Sequence, residues 1–94
     1  MQIIKSLVLT VEGRIDSITS MQLKSEITKT TQNIDELIFD FKELLYISSA
    51  GLRVLLETHK TSAEKGITMK IANASPSVMK VFEISGFNKI LTFI

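Results

Sequence analysis

The chain has 94 residues, of which 45% are hydrophobic and 22% charged, with a formal net charge of +1 and no cysteine. That length holds one domain with one modest core, expected to span residues 1–94, and the balance is too apolar for a disordered chain and too broken by charge for a membrane span. The 11 basic residues are scattered, so no electrostatic footprint favours nucleic acid or an anionic membrane. Met1-Gln2-Ile3-Ile4-Lys5 lacks the layout of a secretory leader, and a cytoplasmic protein is expected.

Leu7 through Gly13 is rich in β-branched and apolar residues and stops at a glycine, which reads as a strand. After a polar turn, Thr19-Ser20-Met21-Gln22 has capping-box spacing. Met21, Leu23 and Ile27 then recur at helical intervals up to the polar patch Thr30-Thr31-Gln32-Asn33, which predicts a first helix. Leu37 through Phe41 is apolar at adjacent positions, the pattern of a central strand covered on both faces. From Ser49 to Lys65 the apolar positions Leu52, Leu55, Leu56 and Ala63 mark one face of a second helix, and Gly66 stops it.

Ile67 through Ala72 reads as a further strand. Ser75-Pro76 is a cap followed by proline at the first helical position, opening a third helix carried by Val78, Met79, Phe82 and Ile84 and ending at Gly86. Ile90 through Ile94 predicts a last strand. Strand and helix alternate throughout, so the fold class is α/β: a small mixed or mostly parallel sheet of about four strands with three helices packed against it.

Evidence for catalysis is thin. His59, the single histidine, falls inside the second helix with no cysteine or second histidine to complete a metal site, and its default role is structural or solvent-facing. The Ser48-Ser49-Ala50-Gly51 turn fails the nucleophile-elbow pattern, because no glycine stands two residues before either serine. The spacing of a phosphate-binding loop is also absent. What remains is a pair of hydroxyls at a strand-to-helix junction, where serine is a favoured N-cap or a chemical target.

Three stretches make that junction recognisable. Glu12-Gly13-Arg14-Ile15-Asp16, then Asp40 through Leu52, then Ser75-Pro76 through Phe82 with Ser85-Gly86-Phe87, closely resemble the STAS family of anti-sigma factor antagonists, in the family's order and over nearly the whole chain. The resemblance implies a STAS-like fold and a protein-binding module that is not itself an enzyme. Such a module binds an anti-sigma factor that is also a serine protein kinase, so that a sigma factor is released, and a serine phosphatase restores the unmodified form. By alignment on Gly51-Leu52, the serine that this kinase phosphorylates in the family corresponds to Ser49. No cofactor is implied, since the nucleotide belongs to the kinase.

The position suits that role, because phosphate added at a helix start meets free backbone N–H groups and the positive end of the helix dipole. It would add about −1.5 to −2 charge units to a surface that the partner must desolvate, so its cost should fall on binding. Ser48 is then mainly a cap. Asp16 either engages the partner or holds a turn, Gly51 permits close approach, and Arg53 is an exposed partner contact or a solvated charge. Asp40 is expected to bond backbone amides at a strand end.

Two departures accompany the resemblance. Many members carry an aspartate just before the phosphorylated serine, where this chain has Ser48, so the field at Ser49 is less negative. The family also opens with an additional strand and ends with a further helix; here the N-terminal strand region is expected to be shortened and the fourth helix absent. Apolar surface left uncovered in that way would favour self-association. Rival readings are a STAS subunit of a scaffold or transport complex and, from another class, a small nucleotide-handling enzyme.

Overall fold

The computed structural model describes residues 1–30 and 33–94. Strands β1 (Ser6–Thr10), β2 (Gly13–Ile15), β3 (Glu36–Asp40), β4 (Leu44–Ile47), β5 (Thr68–Ala72) and β6 (Thr92–Phe93) alternate with helices α1 (Thr19–Thr30), α2 (Ser49–Glu64) and α3 (Pro76–Ser85), and a 3₁₀ turn covers Phe87–Lys89. A four-stranded sheet has the order β1-β3-β5-β6, and β2 pairs with β4 in a separate two-stranded sheet. Every pairing is parallel. The three helices and the mostly parallel sheet are those expected from the sequence, with β3 central as predicted.

Register places Leu7, Leu37 and Met69 in one cross-strand row and Leu9, Phe39, Ile71 and Phe93 in another. Both rows lie on the face toward the helices, where Leu37 and Phe39 are fully buried. The intervening row, Val8, Ile38, Lys70 and Thr92, lies on the opposite face, where Val8 and Thr92 are exposed and Ile38 is half-buried. The expectation that both faces of this strand are covered is therefore corrected, because alternate residues of a strand face opposite ways. Phe82 of α3 closes the core, its ring edge-on to Phe93 at 5.0 Å between centroids.

The expected first strand is split in two. Gly13 takes φ +79°, a left-handed conformation open to glycine, and the chain turns there from one sheet into the other. The expected last strand shortens to Thr92–Phe93, because the 3₁₀ turn and Ile90 precede it. Gly86 ends α3 as predicted, at φ +80°. The Thr30 end of the polar patch closes α1, while Thr31 and Gln32 lie outside the described residues.

Most positions of the expected helix faces turn inward, and one expected position on each helix turns out. On α1 the inward stripe runs through Ser20, Leu23 and Ile27, leaving Met21 70% exposed. On α2 the expected Leu52 and Leu55 are buried together with Gly51, Val54, Thr58 and Ser62, and Leu56 is half-buried, whereas Ala63 is exposed. On α3 the expected Val78 and Phe82 are buried and Met79 is half-buried, whereas Ile84, two positions past Phe82, is exposed. Successive helical residues turn by about 100° around the axis, so Met21 and Ala63, next to the buried Ser20 and Ser62, leave the inward stripe.

Candidate functional site

β4 and α2 meet at Ser48. Its backbone is extended (φ −86°, ψ 171°), its side-chain oxygen accepts a hydrogen bond from the Gly51 N–H at 3.2 Å, and its own N–H donates to the Ile15 carbonyl at 2.7 Å. That first bond makes Ser48 the N-cap of α2, with its hydroxyl oxygen already engaged. Ser49 is the first helical residue and is exposed.

Gly51 is buried one turn in. A Cβ there would stand 2.6 Å from Ile15 Cγ2 and 2.8 Å from Ile47 Cγ1, so the absence of a side chain lets α2 settle onto β2 and β4. Gly51 thus shapes the site from beneath. Arg53, four residues after Ser49, is exposed on the same side of the helix.

Asp16 follows β2 directly, and Ile15 carries the carbonyl that Ser48 bonds, so the aspartate stands beside the Ser48-Ser49 junction. Its Oδ1 accepts from the N–H groups of Ile18 and Thr19, each at 2.9 Å, while the Asp16 N–H donates to Thr19 Oγ1 at 2.8 Å. This reciprocal pair fixes the start of α1. The Thr19 backbone N–H, then the Thr19 hydroxyl and the Ile18 N–H, hold the Asp16 carboxyl below its ordinary value, so it stays an anion through the neutral range. These hydrogen bonds hold the turn at Asp16.

Asp40 lies at the end of β3, with Oδ1 accepting from Asn73 Nδ2 and from the Lys42 N–H, each at 3.0 Å. The Asn73 amide, more than the Lys42 N–H, lowers its carboxyl pKa. Asp40 thus ties the end of β3 to the loop after β5. Asp16, Ser48, Ser49, Gly51 and Arg53 form one neighbourhood around the start of α2.

Three residues that the sequence reading passed over also border this neighbourhood. Leu45 is 74% and Tyr46 40% exposed, and the Arg14 guanidinium carbon stands 4.3 Å from the Tyr46 ring centroid, within cation–π range. The available signal was the unbroken run Leu44-Leu45-Tyr46-Ile47, which a short strand of alternating faces cannot bury whole.

A groove of about 490 Å³ between the later halves of α1 and α2, with Thr58 and Ser62 in its lining, does not include Ser49. Among the described residues, no group of three His, Cys, Asp or Glu side chains gathers to hold a metal. Among the described residues, no helix is long and apolar enough to cross a membrane.

A sequence model of the STAS domain matches residues 1–94. The chain is 34% identical over 85 residues to the protein named "Putative anti-sigma factor antagonist BtrV" of Bordetella bronchiseptica, the match covering 89% of this chain and 73% of BtrV. The fold is similar to that of the anti-sigma factor antagonist SpoIIAA in its unphosphorylated form, with a TM-score of 0.81 and 22% identity over 100% of this chain and 84% of SpoIIAA. It is equally similar to a sulfate transporter family protein from Wolinella succinogenes, with a TM-score of 0.83 and 14% identity over 98% of this chain and 80% of that protein. At those identities the two structural likenesses establish the fold alone.

Proposed function

This chain belongs to the STAS domain family, and we propose that it is an anti-sigma factor antagonist: a protein-binding module that engages an anti-sigma factor with serine kinase activity and frees a sigma factor. The observation that carries the switch is the division of labour between two adjacent hydroxyls. Ser48 Oγ accepts the capping bond of α2 and its residue is half-buried, whereas Ser49 stands exposed as the first helical residue.

Phosphorylation acts on Ser49. Its Oγ forms a new bond to the γ-phosphorus of ATP held by the kinase, the bond from that phosphorus to the β–γ bridging oxygen breaks, ADP leaves, and the hydroxyl proton passes to a base of the kinase. The product dianion sits where the helix dipole and the first free N–H groups favour it, so α2 survives. The penalty falls on the partner, which must desolvate the phosphate to bind. Asp16 holds its turn beside the switch, Gly51 sets the seating of α2, and Ser48 and Arg53 border the contact surface.

The remaining features of the circuit follow from this reading. The module works in the cytoplasm without a cofactor or catalysis of its own, and a serine phosphatase hydrolyses the Ser49 phosphate with water to regenerate the active form. Copies self-associate at high concentration through exposed Ile84, Ile90 and Ile94 near the end of the described chain. The likeness to a sulfate transporter family protein supports a second reading, a subunit of a transport or scaffold complex, on fold alone.

Incubation with ATP and each purified anti-sigma factor kinase of the host, followed by phosphopeptide mapping and affinity measurement, tests the proposal. Phosphate on Ser49 with weakened binding is expected. Phosphate confined to Ser48, undiminished affinity after full modification of Ser49, or stable recovery with transporter subunits in place of any such kinase would overturn it.

A further inference from the structure

The pairing of β2 with β4 is irregular. Gly13 stands opposite Leu44 and Arg14 opposite Tyr46, so Leu45 is an extra residue on β4. One inserted residue breaks the alternation of a strand, and two successive side chains then face the same way. The burial along β4 follows that rule: Leu44 and Ile47 point in, while Leu45 and Tyr46 both point out. A regular β4 would send Tyr46 inward and turn Ile47 away from its seat beneath Gly51. The bulge thus keeps the floor of the phosphoacceptor helix and places two large side chains on the surface.

The fold makes no use of Leu45 there. A lone exposed leucine is ordinary on a protein surface, but this one adjoins a half-exposed tyrosine whose ring is stacked on a cation. Among the described residues the ion pairs are Lys24–Glu57 and Lys70–Glu36, so Arg14 has no carboxylate within ion-pair distance; its exposed charge acts on Asp16 only from farther off and can meet a partner. Ile18 and Met21, each 70% exposed, lie on the segment that leaves Ile15 beside Ser48 and add apolar surface at the start of α1.

The position of the bulge identifies the occupant. At about 3.3 Å per residue, Leu45 lies within roughly 13 Å of Ser49 along the chain. A standard protein interface covers about 800 Å² on each side, a disc of about 16 Å radius. Tyr46 and Ser48 are alternate residues, as are Arg14 and Asp16, so this outward side of β2 and β4 runs on to the Ser48-Ser49 junction, and a kinase seated on Ser49 reaches Tyr46 and Leu45 as well. Resting on the reading of Ser49 as phosphoacceptor, we propose that Leu45, Tyr46 and Arg14 form a docking knob for the anti-sigma factor kinase. Leu45 and the Tyr46 ring fill an apolar pocket on that partner, and Arg14 meets a carboxylate on the pocket's rim. The knob sets which kinase is recognised, while Ser49 sets whether the complex persists.

The test uses the full chain, its Leu45→Asp and Arg14→Glu variants, and each anti-sigma factor kinase of the host, purified separately. Steady-state phosphorylation of Ser49 and affinity for the ADP-loaded kinase are measured, with circular dichroism melts to confirm folding. Both variants are expected to raise KM and Kd by about tenfold or more with kcat within about twofold of the parent, because an interface anchor acts on association while the phosphoryl acceptor is untouched. Arg14→Glu keeps the result decisive should Leu45→Asp fail to fold. KM and Kd within about twofold of the parent for a folded variant would overturn the docking role while leaving the Ser49 switch intact. If none of the kinases binds or modifies the parent chain, the antagonist reading fails and the knob with it. Sedimentation is run alongside: a parent dimer dissolved by Leu45→Asp would show that a second copy, rather than the kinase, covers this surface, and would overturn the proposal.

Discussion

Replacing Gly51 by alanine tests whether the seating of α2 depends on a missing side chain. The new Cβ would lie 2.6 Å from Ile15 Cγ2 and 2.8 Å from Ile47 Cγ1, where carbon atoms at rest prefer about 3.5–4.0 Å. Each contact must open by about 1 Å, and Ile15 and Ile47 are both 2% exposed, with little room to retreat. Overpacking of this kind costs about 1–3 kcal/mol. Alanine is the better helix former by about 0.5–1 kcal/mol, an opposing gain that shrinks in the first turn, where α2 is held by its cap. The clash outweighs the propensity, and a net loss of about 1–2 kcal/mol is expected, lowering Tm by about 4–8 °C per kcal/mol in a domain of this size. Urea melts of Gly51→Ala, Ile15→Ala and the double variant provide the assay. Ile15→Ala removes the nearest clashing atom, so the glycine substitution should cost about 1 kcal/mol less in that background. A Gly51→Ala protein as stable as the parent, with no coupling to Ile15, would refute the close-packing account.

Four further outcomes follow from the same geometry. Leu55→Ala should lose about 2–5 kcal/mol in denaturant melts because Leu55 is fully buried; a loss below about half a kcal/mol would mean that the site collapses freely. Ser48→Ala should cost about 0.5–2 kcal/mol by removing the acceptor of the Gly51 N–H, yet still allow phosphorylation of Ser49 on mapping. Ser49→Ala should keep kinase affinity and lose modification, while Ser49→Asp should weaken affinity with the helical dichroism unchanged, since an acid at a helix start is favourable; calorimetric titration separates these effects. Hydrogen bonds from Thr19 to Asp16, from Lys70 and then Ser6 to Glu36, and from Asn73 to Asp40 hold these carboxyls below their unfolded values. Each binds its proton less readily when folded, so its stabilisation is present above about pH 4 and lost as pH falls through the lowered folded values. A urea midpoint unchanged between about pH 6 and pH 2.5 would contradict that coupling.

Much of this architecture was legible in the one-dimensional pattern because the information is local. Ser75-Pro76 opening α3, Gly86 closing it in the left-handed region and Ser48 preceding α2 each act through backbone groups a few residues away. The exposed Ser49 at the start of α2 was legible for the same reason, since its place depends on a cap and a helix that neighbours specify.

Tertiary structure decided which faces those elements turn inward. Met21 and Ala63 sit beside the buried Ser20 and Ser62, and Ile84 two positions past the buried Phe82, and only the direction from which the sheet approaches determines that these three apolar residues face out. The split of the first strand at Gly13 likewise depends on partners far along the chain, β3 for its first half and β4 for its second. The bulge at Leu45 is the clearest case. Leu44 through Ile47 is uniformly apolar and carries no alternation to read, and the outward turn of Leu45 and Tyr46 arises from register against β2, about thirty residues earlier. A register between distant strands is set by the packing of both on a shared core, so no local stretch of sequence contains it.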